Sequence, residues 1–536
     1  MNTFFDTLII APVAIFLLAA AVILILRLLR PGFGFTWLIA VSSTLVAWGV
    51  VLFLRLRLPL SMVLIPWKPE SIFPFSPALS LDQVSWPYAF ALISLALGVL
   101  LTATARYQYQ TNAFAWAGSM LLTAVGLLAV LAANPLSLIL TWTAIDLVEL
   151  LILLVNSQEI RLRGQVVVAF AARLMGTLVV MAALIAGQAN GQVVQLSTAP
   201  EGVGLILLIG VGLRLGVFPL HLPFRKEPPM RRGLGTVLRL VPVTASLVVL
   251  ARLPAGIVPA AWAPWLLAFT ALGAFYGALL WIRSEDEISG RPYWVIAFSS
   301  LAITCVVRGE PLGSLAWGIA LILAGGNLFL FSARSRRLLF IPVLGLWGLG
   351  ALPYSPAASG LHGLVSGPFA GFNIFYLGAL ALLLVGYARH ALKPGDSLES
   401  MERWIYLIYP LGLVFLTGTQ VVLGVFGWKG SVSAGVPWAS TAVSIFALAS
   451  GLLMVRLTAW PDMESTWWQP FLGSILDFGA AVLRLDWVYR LFRLAYRAIG
   501  RLVAGLIAIL EGDGGVIWAL VLLALLATFL RSEGVP

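Results

Sequence analysis

The sequence predicts an all-α polytopic membrane protein, and three observations carry that prediction. The chain of 536 residues is 61% hydrophobic and only 10% charged, where an ordinary globular domain carries roughly a quarter charged residues. Apolar runs of about 20 residues recur from end to end, each long enough to cross a bilayer as a helix. The short alternating segments that a β-barrel needs are not seen. A single cysteine, Cys305, excludes an internal disulfide and a Cys-based metal site.

Sixteen spans are expected near 8–29, 35–56, 87–105, 113–133, 135–155, 166–187, 203–219, 235–253, 260–282, 292–308, 314–333, 338–352, 368–388, 404–426, 437–456 and 514–530. The first lacks a basic leader and a small-residue cleavage site, so it reads as a span and not as a cleaved signal. The net charge of +11 is explained by position. With the N-terminus outside, the odd-numbered connections and the 456–513 segment carry 23 Lys and Arg, and the opposite side carries 7. That bias is the positive-inside rule for a protein of the cell inner (plasma) membrane, and nucleic acid is not needed as a partner. The chain divides into an N-terminal hairpin and loop (1–86), a transmembrane core (87–460) and a tail (461–536).

Within the tail, 484–507 places Arg490, Arg493, Arg497 and Arg501 on one helical face and Leu485, Val488, Phe492, Ala495, Ile499 and Leu502 on the other. This spacing predicts an amphipathic helix lying along the cytoplasmic interface, as a linker or as a strut toward a partner, with a final span after it.

Few ionisable residues lie at membrane depth. Asp146 and Glu149 share a face of span five, with Arg173 in span six, Arg214 in span seven and Arg239 in span eight. Unpaired charge in lipid is costly, so a span-five carboxylate is expected to face Arg214. Such a pair serves either a structural role or an ion-conducting polar axis. Span seven ends GLRLGVFPLHLPF, where Gly216 and Pro219 should interrupt the helix before His221. Span twelve, LGLWGLGALPYSPAASGLHGL, is broken likewise at Pro353 and Pro356, with His362 beyond. Paired interruptions of this kind mark inverted repeats around a mid-membrane site.

From Gly212 to Pro254 the chain resembles the antiporter-like membrane subunits of respiratory complex I, shared with Mrp-type Na⁺/H⁺ antiporters and membrane-bound hydrogenases. The family has Lys, then Pro five residues on, His two later, a Pro-rich loop, a helix and a terminal Arg. Arg214, Pro219, His221, Pro228, Pro229 and Arg252 fill those places. WTAIDLVELLILL resembles the family's Trp-and-Glu span and GLGALPYSP its second broken helix. The lateral helix followed by one more span also matches, and the likeness covers roughly 87–430.

The resemblance implies an antiporter-like subunit of a redox-driven complex of the complex I or membrane-hydrogenase kind. It implies partner membrane subunits, further antiporter-like ones among them, with lipid around them and no redox cofactor in this chain. The departures imply a weakened proton axis. The carboxylate is Asp146 or Glu149, and Trp142 is displaced from its place before the family's Glu. The span-seven Lys is Arg214, and Arg239 stands where a His is expected. Span eleven has only Asn327, and span twelve has no Lys, with His362 the nearest substitute. Arginine does not release its proton at accessible pH. The alternative is a stand-alone cation/proton antiporter or other secondary transporter. A membrane transferase finds little support, since Asp6, Asp82 and loop carboxylates are all it could use. No P-loop, zinc-ligand spacing or Ser-His-Asp set is evident. His390, in RHALKPGDSLESMER, is expected to be solvated, and SEDE at 284–287 to be a loop face.

Overall fold

A backbone in hydrocarbon can satisfy its N–H and C=O groups only within itself, so each apolar run folds as a helix. The structure, a computed structural model, describes residues 2–459 apart from 69–74, 107–112, 221–231, 396–401 and a few single or paired positions. Beyond these it describes scattered residues and the helix Gly515–Ser532. The chain forms two compact units, Met1–Pro461 and Asp462–Pro536. Most of 484–507, the expected amphipathic helix, lies outside the described residues.

The first unit opens with α1 (Asn2–Leu8), α2 (Ala11–Leu29) and α3 (Thr36–Leu54). A two-stranded antiparallel hairpin follows, β1 (Leu60–Val63) and β2 (Ala78–Leu81), with Leu60 opposite Leu81. Then come α4 (Ser85–Thr102), α5 (Ala113–Val130), α6 (Pro135–Asn156), α7 (Ile160–Ala189), α8 (Glu201–Leu215) and α9 (Arg232–Arg252). The series continues with α10 (Ala263–Arg283), α11 (Glu287–Val307), α12 (Pro311–Leu330), α13 (Phe340–Leu349) and α14 (Ala358–Val365). It ends with α15 (Asn373–Leu392), α16 (Arg403–Phe426) and α17 (Pro437–Ala459). A described helix falls in each of the sixteen expected segments. Among the described residues, twelve are long and apolar enough to cross a membrane by length and composition.

Burial sorts these helices into a core and a periphery. α9 is fully buried, and 94% of the apolar stretch in both α4 and α12 is buried, against 33% in α6 and α7. The outer helices therefore show Leu147, Leu151, Val155, Met181 and Ile185 outward while their polar residues point into the bundle. Glycine permits the closest approach. A Cβ on Gly176 of α7 would lie 2.5 Å from Arg214 Cγ and 2.7 Å from the Gly210 carbonyl of α8. Small residues at such a crossing let two backbones meet, and here they deliver Arg214 against α7.

The interrupted helices end for local reasons. α8 stops at Gly216, whose left-handed φ of 77° turns the chain back, and Val217 N–H donates to the Gly212 carbonyl at 2.8 Å. This is a glycine-capped helix end, and Pro219 follows it. α13 and α14 are separated by Pro353 and Pro356, with Ala351 and Tyr354 both at positive φ (52° and 64°). Non-glycine residues adopt that region at a cost, and Tyr354 is held there by its N–H donating to Ser433 O at 2.8 Å.

Two sequence expectations fail. His390 is not solvated but fully buried in the last turn of α15, its Nε2 3.1 Å from Ser284 Oγ and its ring 4.5 Å from Trp281. The helix runs further into the polar segment than the sequence suggested, and carries His390 inward. The SEDE run is no simple loop face either. Asp286 caps α11 by accepting from Ser289 N–H at 2.7 Å, and buried Glu287 pairs with Arg232 at 2.5 Å.

Asp82, between β2 and α4, ties the hairpin to the bundle. Its Oδ1 accepts from Val84 and Ser85 N–H at 2.9 and 2.7 Å, while Arg252, closing α9, reaches Oδ2 at 3.4 Å and also donates to Ala132 O. Burial raises the Asp82 carboxyl, but Arg252 and these N–H bonds outweigh it and leave its pKa below the ordinary value. A depressed carboxyl contributes stability above the unfolded pKa of about 3.9 and loses it as pH falls through the folded value. The difference in thermal midpoint between wild type and Asp82→Asn should therefore be largest near pH 7 and shrink below about pH 4. A difference independent of pH would contradict this.

Candidate functional site

The buried charges of α6, α7 and α8 meet in one cluster. Asn134 caps α6 by accepting from Ser137 N–H, and Pro135 occupies the first helical turn, where its missing donor costs nothing. The helix then carries Trp142, Asp146 and Glu149 inward, at spacings of four and three residues on one face.

Arg214 and Asp146 form a two-pronged pair. Nη1 donates to Oδ2 at 2.6 Å and Nη2 to Oδ1 at 2.9 Å, with both side chains 1% exposed. Other acceptors also surround the guanidinium. Nη1 reaches Thr177 Oγ1 at 2.8 Å and the Arg173 carbonyl at 3.3 Å, and Nε reaches Ser246 Oγ of α9 at 3.4 Å. The guanidinium lies over the Trp142 ring, 4.3 Å from its centre, and Trp142 Nε1 donates to Ala245 O at 2.9 Å. A parallel charge-assisted fork of this kind is the strong form of ion pair.

Glu149 pairs instead with Arg173 of α7, whose side chain is 11% exposed. Thus one α6 carboxylate faces each of two arginines. The sequence left open which carboxylate would face Arg214 and assigned Arg173 no partner. Of the missed supports, Thr177 and Ser246, only Thr177 left a sequence signal, as the lone hydroxyl of its apolar run, four residues after Arg173. Arg239 is buried on α9, within electrostatic reach of Arg173.

The other expected site residues lie apart. His221 is outside the described residues. His362 is on α14 but exposed. Asn327, buried in α12, donates to Thr417 Oγ1 of α16 at 3.0 Å, beside Gln420 one turn on and Tyr387 of α15. Gly345 and Gly348 of α13 press on these groups, a Cβ at Gly348 meeting the Gln420 amide at 2.1 Å. This second cluster around the second broken helix is neutral. Gln420 was missed, although an amide inside FLTGTQVVLG is a visible signal. Among the described residues, no group of three His, Cys, Asp or Glu is placed to hold a metal ion.

An all-α bundle of apolar helices, two of them interrupted and the first ending at a buried charge cluster, defines a multi-pass membrane protein. No known protein family and no curated protein matches the chain in sequence. Solved structures do match in fold. A chain of the Mrp complex from Dietzia sp. DQ12-45-1b has a TM-score of 0.68 and 16% identity, over 92% of this chain and 63% of that one. This chain thus spans less than two thirds of that Mrp chain. A chain of respiratory complex I from Thermus thermophilus gives 0.60 and 18%, over 82% and 99%. A chain of the membrane-bound sulfane sulfur reductase, an archaeal respiratory membrane complex, gives 0.62 and 15%, over 96% and 99%.

Removing one partner of a buried pair strands the other charge, at a cost of about 3–5 kcal/mol. Arg214→Ala should lower the membrane yield of folded chain several-fold, whereas Arg214→Lys should keep most of it, since an ammonium still pairs with Asp146. Equal yields by quantitative blotting would deny the pair its structural weight.

Proposed function

We propose that the chain is an antiporter-like subunit of a larger redox-driven membrane complex, retained for its structure and weakened as a proton pump. The bidentate Asp146–Arg214 pair carries the reading. A lysine at the Arg214 position can shift its pKa when buried and so pass a proton on, but a guanidinium stays charged throughout the accessible pH range. The pair keeps the electrostatics of a polar axis while removing its central proton donor and acceptor. The neutral Asn327–Thr417–Gln420 cluster supports the same reading, because amides and hydroxyls cannot store charge there.

The fold likeness to chains of the Mrp complex, complex I and the sulfane sulfur reductase supports membrane partner subunits, further antiporter-like ones included. Electron transfer would belong to those partners, and proton or sodium movement chiefly to sibling subunits that keep the lysine. The broad apolar outer faces of α6 and α7 suit lipid or a neighbouring membrane subunit.

Extraction of the tagged chain in mild detergent, followed by mass spectrometry of what co-purifies, tests this. The expected result is a stoichiometric set of membrane and redox subunits. A monodisperse chain that is stable alone and transports cations in vesicles would replace this reading with a stand-alone antiporter.

A further inference from the structure

The second half of the second broken helix, α14, begins as a buried helix end that lacks the partners such an end requires. The first turn of any helix presents N–H groups that no carbonyl of the same helix can accept, so a cap, water or a ligand must do so. Ala357 stands at the N-cap, where its methyl group offers no capping bond. Ala358 N–H donates to Ser355 O and Leu361 N–H to Ala357 O, both at 3.0 Å. Among the described residues, the N–H groups of Ala357, Ser359 and Gly360 have no acceptor. Ala357 and Gly360 are buried and Ser359 is half-buried, where an orphaned N–H is costly.

Side-chain donors gather at the same end. Ser355 is fully buried, and neither its Oγ nor that of Ser359 makes a hydrogen bond. The indole of Trp317, from α12, lies on the first turn, since a Cβ on Gly360 would stand 2.8 Å from Trp317 Nε1. That buried N–H also makes no hydrogen bond. The Cys305 thiol beside it is a weak acceptor and itself donates to Gly360 O at 3.7 Å.

What this end lacks is an acceptor. Water would take some of these donors, but its own two hydrogens would then need acceptors, and Ser355 O, Ala357 O and Gly360 O already accept. An anion only accepts, and the positive end of a helix dipole favours it.

We propose that the first turn of α14, with Ser355, Ser359 and Trp317, binds a small monovalent anion of the halide type. The charges around the site set that class. Arg308 is engaged at the opposite end of α14, donating to Ser366 O at 2.7 Å, and His362 on the same helix is exposed. The donors of the site are thus neutral dipoles. They match one negative charge, whereas a doubly charged sulfate or phosphate lacks a counter-ion and loses far more hydration energy on burial. The exposed Leu352–Tyr354 segment leads directly to Ser355 and gives the ion a way in. The bound ion also places a negative charge at the second interruption, where the neighbouring Asn327–Gln420 cluster has none.

Crystals of the full chain grown in sodium bromide, with diffraction recorded at the bromine absorption edge, test this directly. The expected result is an anomalous peak at the start of α14, in contact with the Ser359 and Gly360 N–H groups and the Ser355 hydroxyl. Density there without anomalous signal is water and overturns the proposal, as does an empty site. A solution measurement separates a genuine site from binding at crystal concentration only. In detergent at constant ionic strength, replacing gluconate with bromide should raise the thermal midpoint of wild type along a saturating curve, because the ion binds the folded chain. Ser355→Ala/Ser359→Ala should need at least tenfold more bromide for half the effect. Trp317→Phe, which keeps a ring over Gly360 but removes the N–H, should shift the curve in the same direction if the serine variant does not fold. A rise that never saturates, or curves unchanged in the variants, marks binding at crystal concentration only and contradicts the proposal.

Discussion

A guanidinium at membrane depth must be answered by a carboxylate, and much of the first half of this molecule is arranged to supply one to Arg214. The stranded charge would cost several kcal/mol in hydrocarbon. α6 therefore presents Asp146 inward, although only a third of its apolar stretch is buried. Gly176 and Gly210 remove the side chains that would keep α7 from α8. Trp142 covers the guanidinium and is itself anchored to α9 through Ala245. Each of these contacts engages a different helix, so the ion pair also fixes how four helices pack.

The second broken helix sits in a different electrostatic setting. Around α13 the buried polar groups are Asn327, Thr417, Gln420 and Tyr387, without formal charge. The interruption is kept, with Ala351 and Tyr354 in strained backbone and Pro356 packed against the Gly424 position of α16. Strain of this kind persists where the surroundings hold it in place.

Much of the fold was legible because hydrocarbon imposes one rule on every span. Run length located sixteen of the described helices, and Gly216, Pro219, Pro353 and Pro356 marked the places where helices stop. Hydropathy does not locate partners. Asp146 and Glu149 differ by three residues, and only the crossing of α7 and α8 at Gly176 decides which meets Arg214 and which meets Arg173. His390 was misread because polar neighbours in sequence do not imply water. The last turn of α15 packs against Trp281 and Ser284, which come from α10 and the loop after it. Gln420 escaped notice because a single amide barely changes the hydropathy of α16.

The central claim is that Asp146 and Arg214 act as one coupled structural unit. A double-mutant cycle measures this most directly, using thermal stability of the full chain in detergent and comparing Asp146→Leu, Arg214→Met and the two together. Each single change strands a buried charge, whereas the double change leaves a neutral, packed site, which in other proteins is often tolerated or stabilising by about 1–4 kcal/mol. The account predicts two strongly destabilised single variants and a double variant restored close to wild type. A double variant as unstable as the sum of the singles would contradict it.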